Sequence, residues 1–409
     1  MQILAADAEV ITARTGLRLE LARVAVRNVA KERQVELPDD ILTHDAAAVA
    51  TAPDVDVVVE VIGGIEPARS LILAALKSGK PVVTANKELM ANVGAELGQV
   101  AAANNVDLLY EASVGGGIPL IRPLRESLAG ERVRRLMGIV NGTTNYILTR
   151  MTEEGTSYAE ALAEAQSLGY AERDPTADVE GFDAGAKLAI LATIAFGAEV
   201  VAGDVYREGI SGVTGHDIAV ANRLGYVVKL LALAEQGQDG AVAVRVHPAM
   251  LPKDHPLAAV RGSFNAVFVE GEAVGELMFY GRGAGGAPSA SAVLGDLIDA
   301  AHNLRAGGAS RSFSPLRAVI RPIDELRSQY YLSIDVVDRP GVLAAVAQVF
   351  GRHEVSIRSM EQTGLADEAR LIFVTHTARE SDVQATISGL HQLDVVERVG
   401  SLLRVAGPE

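Results

Sequence analysis

The sequence predicts an α/β protein in three parts: a parallel-sheet domain, an α+β domain with an open sheet, and a small βαββαβ domain. Between residues 18 and 110, short runs of Val, Ile and Leu alternate with helical stretches. Long helices and strands then mix from 126 to 302, and a final alternation of strands and helices fills 329–409. A chain of 409 residues is long enough for two or three domains that each bury a core.

The first predicted domain spans residues 1–125. Its opening 16 residues place apolar side chains at helical spacing and end in Gly16, a typical helix stop. Two further helices are predicted at 67–78 and 88–104, and strands at 19–26, 55–62, 80–84 and 106–110. Such alternation is typical of βαβ units with a buried parallel sheet, whereas a purely helical array would not contain β-branched runs.

The second predicted domain spans 126–304 and mixes long helices with strands at 242–246, 264–269 and 275–280. These features predict an open, partly antiparallel sheet covered by helices, and the helix over 287–304 can return to the first domain. Residues 305–328 lose periodicity and gather Gly, Ser and Pro, which predicts a linker. In 329–409, the order strand 330–337, helix 341–350, strands 355–360 and 369–376, helix 382–390 and strand 395–405 predicts a ferredoxin-like domain.

Composition excludes several classes of function. The 37 basic and 52 acidic residues give a net charge of −15, which disfavours nucleic-acid and anionic-membrane partners. No cysteine is present, so disulfides, thiolate nucleophiles and Cys-bound metals are excluded. The eight histidines show no paired metal spacing, and no G-x-S-x-G elbow occurs. No apolar run reaches the ~18 residues of a membrane span, and the acidic N-terminus is unlike a secretory signal, so we expect a cytoplasmic protein.

The densest polar cluster is residues 169–187, which carry five acids just before an apolar helix. Asp183 and Lys187 are four residues apart and therefore share one helix face. A carboxylate in that position can orient the ammonium and keep it charged. The alternative is an exposed capping loop with a surface ion pair, but the apolar helix that follows favours a buried site.

Three other segments are candidates for ligand binding. Lys87 follows a predicted parallel strand, at the sheet edge where open α/β sheets bind ligands; an ordinary lysine at a helix start is equally compatible. Residues 111–119 and 281–288 are rich in glycine, which permits close backbone approach to a ligand but also occurs in simple turns. Residues 141–146 (NGTTNY) carry good helix-capping side chains.

Together these segments closely resemble homoserine dehydrogenases of the longer bacterial form that ends in an ACT domain. The matching segments are VVVEVIGG (57–64), VVTANK (82–87), YEASVGGGIP (110–119), GIVNGTTNYIL (138–148), GYAERDPTADVEGFDAGAK (169–187), LMFYGRGAGGAPSASAVLGD (277–296) and DRPGVL (338–343). The resemblance implies a Rossmann-like first domain, a catalytic and oligomerisation domain, and a regulatory ACT domain. It also implies NAD(P)H-dependent, reversible reduction of L-aspartate 4-semialdehyde to L-homoserine, in the biosynthesis of threonine, methionine and isoleucine.

The resemblance also implies roles for individual residues. Lys187 matches the proton donor to the aldehyde oxygen, and Lys87 is a second candidate for that role. Asp183 and Glu172 match the residues that hold the substrate and its ammonium group. The cofactor-binding residues implied by the resemblance are Lys87, Gly169, Glu172 and Gly285.

Several ligands follow from the same resemblance. A structural sodium ion would be held mostly by backbone carbonyls of Glu111, Val114, Gly116 and Ile118, which suits a hard cation. Arg27, after the predicted strand 19–26, could meet a 2′-phosphate and favour NADP, although NAD stays open. The ACT domain makes L-threonine a candidate effector, and a homodimer or homotetramer is expected.

The resemblance fails at the N-terminus. The family begins with a strand and a G-x-G-x-x-G loop that holds the pyrophosphate, whereas Met1 falls inside the helix that follows that loop. We expect either a misassigned start codon or a truncated product with impaired cofactor binding and a gap in the sheet. A non-catalytic ACT-type amino-acid sensor and a different amino-acid dehydrogenase are the rival hypotheses. The combination of Glu172, Asp183, Lys187 and Lys87 argues against a sensor.

Overall fold

The computed structural model describes residues 1–31, 33, 35, 37–309, 315–365 and 368–406. Within these residues the predicted α/β fold is confirmed: a domain with parallel strands, a central α+β domain and a C-terminal βαββαβ domain follow one another. None of the described helices has the length and apolarity that a membrane span requires.

The N-terminal domain contains two small parallel sheets. Gly16 ends the second helix in the left-handed conformation, with φ 67°, as predicted. The elements are α1 (Gln2–Ala6), α2 (Ala8–Thr15), β1 (Val24–Ala25), β2 (Leu42–Thr43), α3 (Ala46–Thr51), β3 (Val58–Glu60), α4 (Ala68–Lys77), β4 (Val82–Thr84), α5 (Lys87–Ala103) and β5 (Leu108–Leu109). Strands β1 and β2 form one sheet, and β3, β4 and β5 form the other.

The predicted strand over 19–26 is wrong in length, because only Val24–Ala25 forms a ladder. The preceding residues find no backbone partner in the described chain, and their charged side chains form surface ion pairs instead. Arg18 pairs with Glu20, and Arg23 lies 2.9 Å from Asp54. Composition favoured a strand there, but a strand also requires a neighbouring backbone to pair with.

The central domain is built on the antiparallel strand order β12-β11-β6-β9-β10. Helices α6, α9 and α10 pack on one face of this sheet and enclose the main apolar core. Its elements are β6 (Val133–Ile139), α6 (Gly142–Glu154), α7 (Tyr158–Ser167), α8 (Thr176–Val179), α9 (Phe182–Phe196), β7 (Ala198–Glu199), β8 (Tyr206–Arg207), α10 (Gly215–Arg223), β9 (Tyr226–Gln236), β10 (Val242–Pro252), β11 (Phe264–Gly271), β12 (Gly275–Arg282) and α11 (Gly286–Ala306).

Helix α11 packs against the sheet of the N-terminal domain. Its Ala300 lies in a small apolar cluster with Val83 and Leu109, which belong to β4 and β5. At the end of β5, the backbone N–H of Glu111 donates to Asp296 of α11 at 2.8 Å. The chain therefore returns to the N-terminal domain after completing the central sheet.

The C-terminal domain has the strand order β18-β14-β16-β15, which is the ferredoxin-like arrangement of a βαββαβ unit. Its elements, after the short β13 (Leu316–Arg317), are β14 (Arg327–Val337), α12 (Val342–Arg352), β15 (Ile357–Leu365), β16 (Glu368–Thr375), β17 (Ala378–Arg379), α13 (Glu380–Leu390) and β18 (Val396–Val405). Residues 310–314 of the predicted linker lie outside the described residues. Short 3-10 helices occupy 39–41, 111–113, 202–204, 256–259 and 323–325, and a π-helical turn occupies 123–127.

The central and C-terminal domains share one continuous sheet. Strand β18 runs parallel to β10, with Ala249 opposite Arg404 and Met250 opposite Val405. At this junction the Arg404 guanidinium donates to Glu380 of α13 at 2.7 and 2.8 Å, and to Glu208 of the central domain at 2.8 Å. We call these three residues the Arg404 cluster. Backbone pairing and buried charge thus both join the two domains.

Candidate active site

Two helix starts bring the candidate catalytic side chains together. Lys87 is the first residue of α5, immediately beyond the carboxyl end of β4. Asn86 fixes that start, because its side chain accepts the N–H of Leu89 and donates to the carbonyl of Gly64 at 2.6 Å. Asp183 lies in the first turn of α9, and Lys187 follows one turn later on the same face. The N-terminal domain thus supplies one lysine and the central domain the other.

One carboxylate joins the two lysines. Asp183 Oδ1 lies 2.5 Å from Lys87 Nζ, and Asp183 Oδ2 lies 2.7 Å from Lys187 Nζ. Lys187 also donates to the carbonyl of Val140 at 2.8 Å. We call Asp183, Lys87 and Lys187 the Asp183 cluster. The predicted i,i+4 pair is therefore present and buried, and Lys87 joins it from another domain.

The lysines keep the Asp183 carboxylate ionised. Burial by itself opposes its charge, but Lys187 and Lys87 hold the pKa of Asp183 well below its usual range. Burial likewise opposes the charge of Lys87, yet the facing Asp183 carboxylate leaves the pKa of Lys87 raised. A fixed negative charge and a cation directed by it are therefore present at neutral pH.

Sequence reasoning missed Asn141 and Asp178. The Asn141 amide donates to Asp183 Oδ2 at 2.9 Å and to Asp178 Oδ1 at 2.7 Å, while its oxygen accepts the N–H of Thr144. The capping signal of residues 141–146 accounts for only the last of these bonds. The single proton of the Thr143 hydroxyl can be donated either to the carbonyl of Tyr170 at 2.7 Å or to Asp178 Oδ2 at 3.2 Å. The start of α6 therefore orients two carboxylates at once.

The five acids of 169–187 separate into different environments. Asp178 and Asp183 meet at Asn141, whereas Asp174 Oδ1 accepts the N–H and the hydroxyl of Thr176, the first residue of α8. Glu172 is exposed in the loop before α8, and its carbonyl accepts from Gln166 at 3.1 Å. No hydrogen bond within the described residues links the Glu172 carboxylate to the Asp183 cluster.

The two glycine-rich segments contact each other. The N–H of Gly117 donates to the carbonyl of Arg282 at 3.1 Å. A Cβ on Gly116 would come 2.6 Å from the Gly283 oxygen, so only glycine permits this approach. Gly285 begins the 21-residue helix α11 with φ 123°, a conformation that favours glycine, and it is exposed.

The remaining predicted ligand-binding residues occupy separate positions. Gly169 is an exposed turn glycine with φ 75°, and Arg27 is exposed just after β1. Val114 and Ile118 are buried in the loop that contains Gly116. The buried Glu111 carboxylate accepts the backbone N–H groups of residues 120–122. Across the described residues, no group of three or more His, Cys, Asp or Glu side chains could hold a metal.

Comparison with known proteins decides the family. A family model described as homoserine dehydrogenase matches residues 119–298, and the model of its NAD-binding domain matches 1–111. The homoserine dehydrogenase of Mycobacterium tuberculosis strain H37Rv is 50% identical over 418 residues, covering 100% of this chain and 94% of its own length. The chain belongs to the homoserine dehydrogenase family. It is therefore an NAD(P)-dependent oxidoreductase with a role in amino-acid biosynthesis, and the predicted resemblance is confirmed.

Solved structures agree with this assignment. A homoserine dehydrogenase from Thiobacillus denitrificans superposes with a TM-score of 0.91 at 40% identity, covering 99% of this chain and 94% of that one. A hyperthermophilic archaeal homoserine dehydrogenase in complex with NADPH gives a TM-score of 0.57 at 31% identity, covering 73% and 82%. The ACT family model matches residues 330–395, so the C-terminal ferredoxin-like domain is an ACT domain.

Proposed function

We propose that the Asp183 cluster catalyses the reversible reduction of L-aspartate 4-semialdehyde to L-homoserine, with Lys187 as the proton donor. The observation that carries the proposal is the single buried carboxylate shared by two lysines from two domains. When bound, NAD(P)H supplies the hydride. The residues of this chain must then bind the aldehyde, stabilise the charge that forms on its oxygen and deliver a proton there.

Lys187 suits the last two tasks. Asp183 and the Val140 carbonyl each take one N–H of the ammonium, which fixes its direction and leaves a third N–H for the aldehyde oxygen. A nearby cation stabilises the developing alkoxide, and a positioned acid then protonates it. Lys187 is largely buried on the apolar helix α9, and the lower local dielectric strengthens this charge interaction.

Lys87 suits a bridging role between cofactor and substrate. Its side chain is 44% exposed, compared with 11% for Lys187, and it lies at the carboxyl edge of the parallel sheet. Open α/β sheets bind their ligands at this edge. A lysine held by Asp183 but accessible to solvent can exchange a water contact for a ligand. Lys87 therefore remains the second candidate for proton transfer.

Carboxylates near the cluster can bind the substrate ammonium. Asp183 is fixed by the two lysines, and Asp178 is oriented by Asn141 and Thr143. Glu172 is exposed in the loop between Gly169 and α8, so its carboxylate is accessible to a ligand. We assign substrate binding to Asp183 and Glu172, with Asp178 as an additional contact.

The residues present fit a nicotinamide cofactor. Gly63 and Gly64 follow β3 with φ 82° and 71°, which allows backbone to approach a ligand at the sheet edge. Gly285 opens a long helix whose first N–H groups suit an anion. Besides Lys87, we assign cofactor contacts to Gly169, Glu172 and Gly285, and a 2′-phosphate contact to Arg27. Arg27→Ala should then lower kcat/KM for NADPH but not for NADH; equal losses for both would argue against that contact.

A sodium ion fits the loop at 111–118 through carbonyls rather than carboxylates. In the described chain, no backbone N–H donates to the carbonyls of Glu111, Val114, Gly116 or Ile118. Carbonyl oxygens are suitable ligands for a hard cation. Because the Glu111 carboxylate already accepts backbone N–H groups, only its carbonyl is assigned to the ion. Replacing sodium chloride by choline chloride should lower Tm; an unchanged Tm would count against the site.

The ACT domain supports regulation by an amino acid, for which we propose L-threonine, and a homodimer or homotetramer. Initial rates with and without L-threonine test this regulation, and unchanged rates at saturating L-threonine would contradict it. Light scattering of the purified protein tests the oligomeric state, and a monomer would contradict the proposed homodimer or homotetramer. Because this family serves amino-acid biosynthesis, we also propose a cytoplasmic location, which cell fractionation tests.

The decisive experiment follows NADPH and NADH oxidation by the full chain with L-aspartate 4-semialdehyde. We expect oxidation that depends on the aldehyde and yields L-homoserine. A sensor would bind L-threonine without any oxidation, and a different dehydrogenase would oxidise the cofactor only with another amino-acid substrate. Succinate semialdehyde, which lacks the α-ammonium, is the matched control and should react far more slowly if Asp183 and Glu172 hold that group.

A further inference from the structure

A cleft of about 480 Å³ lies where the central domain meets the ACT domain. Strands β6, β9, β10 and β11 contribute to one side, and β14, β15 and β18 to the other. We call it the junction cleft. Its volume lies within the range of about 300–1,000 Å³ that is typical of small-molecule sites. Six arginines line it: Arg134, Arg135, Arg245, Arg327, Arg358 and Arg404.

These arginines differ in how their charge is balanced. Arg404 is enclosed by Glu208 and Glu380, and Arg135 and Arg245 share Glu235, each at 2.9 Å. Arg134 pairs with Glu272.

Arg327 and Arg358, on the ACT side, form no ion pair within the described residues. The Arg358 guanidinium instead donates to the Gln329 side-chain oxygen at 3.1 Å. The ACT wall therefore presents two cations that lack a carboxylate partner. Oxyanions are the ligands that a guanidinium binds most strongly.

The opposite wall offers a hydrogen-bond acceptor. His247 is only 1% exposed, and its Nδ1 lies 3.0 Å from the carbonyl of Pro248, which can only accept. Burial, together with Arg404 and Arg245, holds the pKa of His247 well below its usual range, so the ring is neutral. Nδ1 therefore carries the proton, and Nε2 is a buried acceptor without a partner in the described chain. An unpaired buried acceptor is costly, and a ligand hydroxyl would satisfy it.

We propose that the junction cleft binds a small hydroxylated oxyanion, with its carboxylate or phosphate group on Arg327 and Arg358 and a hydroxyl group toward His247. Strand β18 lies between β10 and β14, so the two walls are two strand spacings apart, roughly 10 Å. Two long arginine side chains and a ligand of a few carbons can span that distance. Glu235 and Glu270 also line the cleft, and their negative charge disfavours larger polyanions.

Calorimetric titration of the full chain tests the site with two probes, glycerol 3-phosphate and L-malate, which separate a phosphate source from a carboxylate source. We expect saturable binding of at least one of them. The Arg327→Gln/Arg358→Gln double variant should lose about tenfold in affinity per arginine. Both side chains are exposed, so this variant keeps its fold. Arg352→Gln, at an exposed position on α12, is the matched control and should bind as the wild type does.

Succinate tests the hydroxyl contact, because it matches L-malate but lacks the hydroxyl group. Succinate should bind more weakly than L-malate to the wild type. The two compounds should bind with equal affinity to a His247→Phe variant. Absence of saturable binding by both hydroxylated probes would overturn the site. Undiminished binding by the double variant would place the ligand elsewhere, and equal binding of succinate and L-malate to the wild type would overturn the role of His247.

Discussion

The Asp183 cluster and the Arg404 cluster are both buried charge groups, but they are built in opposite ways. In the first, one carboxylate faces two lysines, and the Lys87 side chain is 44% exposed. In the second, one guanidinium faces two carboxylates, and the side chains of Arg404 and Glu380 are only 3% and 2% exposed. The first cluster is open to solvent at Lys87, whereas the second is closed by protein.

The difference lies in how completely the donors are paired. The Arg404 fork makes four hydrogen bonds through three nitrogens to Glu208 and Glu380. Within the described residues Lys187 uses two of its three N–H groups on protein, and we propose that the third meets the substrate. A planar guanidinium suits permanent, saturated pairing, and an ammonium suits exchange of partners. The fully paired Arg404 guanidinium thus holds two domains together, whereas the partly paired Lys187 ammonium is the group that we propose reacts.

Removing the shared carboxylate should have the largest effect. Asp183→Asn leaves Lys187 and Lys87 without their counter-charge, so we expect kcat to fall by about 10³-fold, given the size of acid–base and electrostatic contributions. Loss of a buried ion-pair partner should also lower the free energy of unfolding by about 3–5 kcal/mol. Asp174→Asn, at an exposed position just before α8, is the matched control and should change kcat less than twofold. A kcat within tenfold of wild type in Asp183→Asn would contradict the proposed role.

Breaking the Arg404 cluster should reduce stability but not turnover. Arg404→Ala leaves Glu380 buried without its cation, which should lower the free energy of unfolding by about 3–5 kcal/mol. Arg370→Ala removes the more exposed pair with Asp335 and should cost about 1 kcal/mol. Chemical denaturation measures both values, and kcat per folded molecule should stay within threefold of wild type. Equal losses of stability in the two variants would contradict the claim that burial makes the Arg404 cluster more important for stability than an exposed ion pair.

A third buried charge extends the comparison, because the hydrogen-bond partners of Lys229 among the described residues are neutral. Its ammonium donates to Asn145 Oδ1 at 2.8 Å and to the Val260 carbonyl at 2.6 Å. Burial, offset partly by Glu153 and reinforced by Arg261, lowers the pKa of Lys229 from 10.5 to about 8. The Asp183 carboxylate reverses this effect at Lys87, where the pKa is raised.

The sign of the pH dependence follows from that lowered pKa. Below pH 8 both the folded and the unfolded chain hold the proton, and the folded chain bears the cost of the buried charge. Between pH 8 and 10.5 the folded chain releases its proton first, so the free energy of unfolding should rise by about 3 kcal/mol relative to a Lys229→Met variant. Denaturation curves across this pH range measure the difference. Parallel curves for the two proteins would show that Lys229 stays charged.

The part of the site that depends on local spacing could be predicted from the sequence. Asp183 and Lys187 are one helical turn apart, and the helix that contains them is apolar, so their shared face and burial follow directly. Lys87 follows a strand of a parallel sheet, so its position at the carboxyl edge could be predicted, whereas a ligand-binding role and that of an ordinary helix-start lysine stayed equally compatible. These inferences required only helix and strand geometry.

The contacts that cross long stretches of sequence could not be predicted. Asn141 bonds to Asp183 across 42 residues, and the capping pattern at 141–146 reveals only its local bond. Strands β6 and β9 were not predicted. Strand β6 contains two adjacent arginines, which obscure its apolar pattern, and the apolar run of β9 is equally compatible with a helix. The pairing of β10 with β18 depends on how two separate domains meet, and no local pattern encodes it.

The most direct test of the proposed chemistry compares Lys187→Ala with Lys87→Ala in the reduction of L-aspartate 4-semialdehyde by NADPH. If Lys187 delivers the proton, its variant should lose about 10³-fold in kcat with little change in KM. Lys87→Ala should lose less in kcat and should raise KM instead. Near-normal turnover by Lys187→Ala, or a larger loss of kcat in Lys87→Ala, would contradict the assignment of Lys187 as the proton donor.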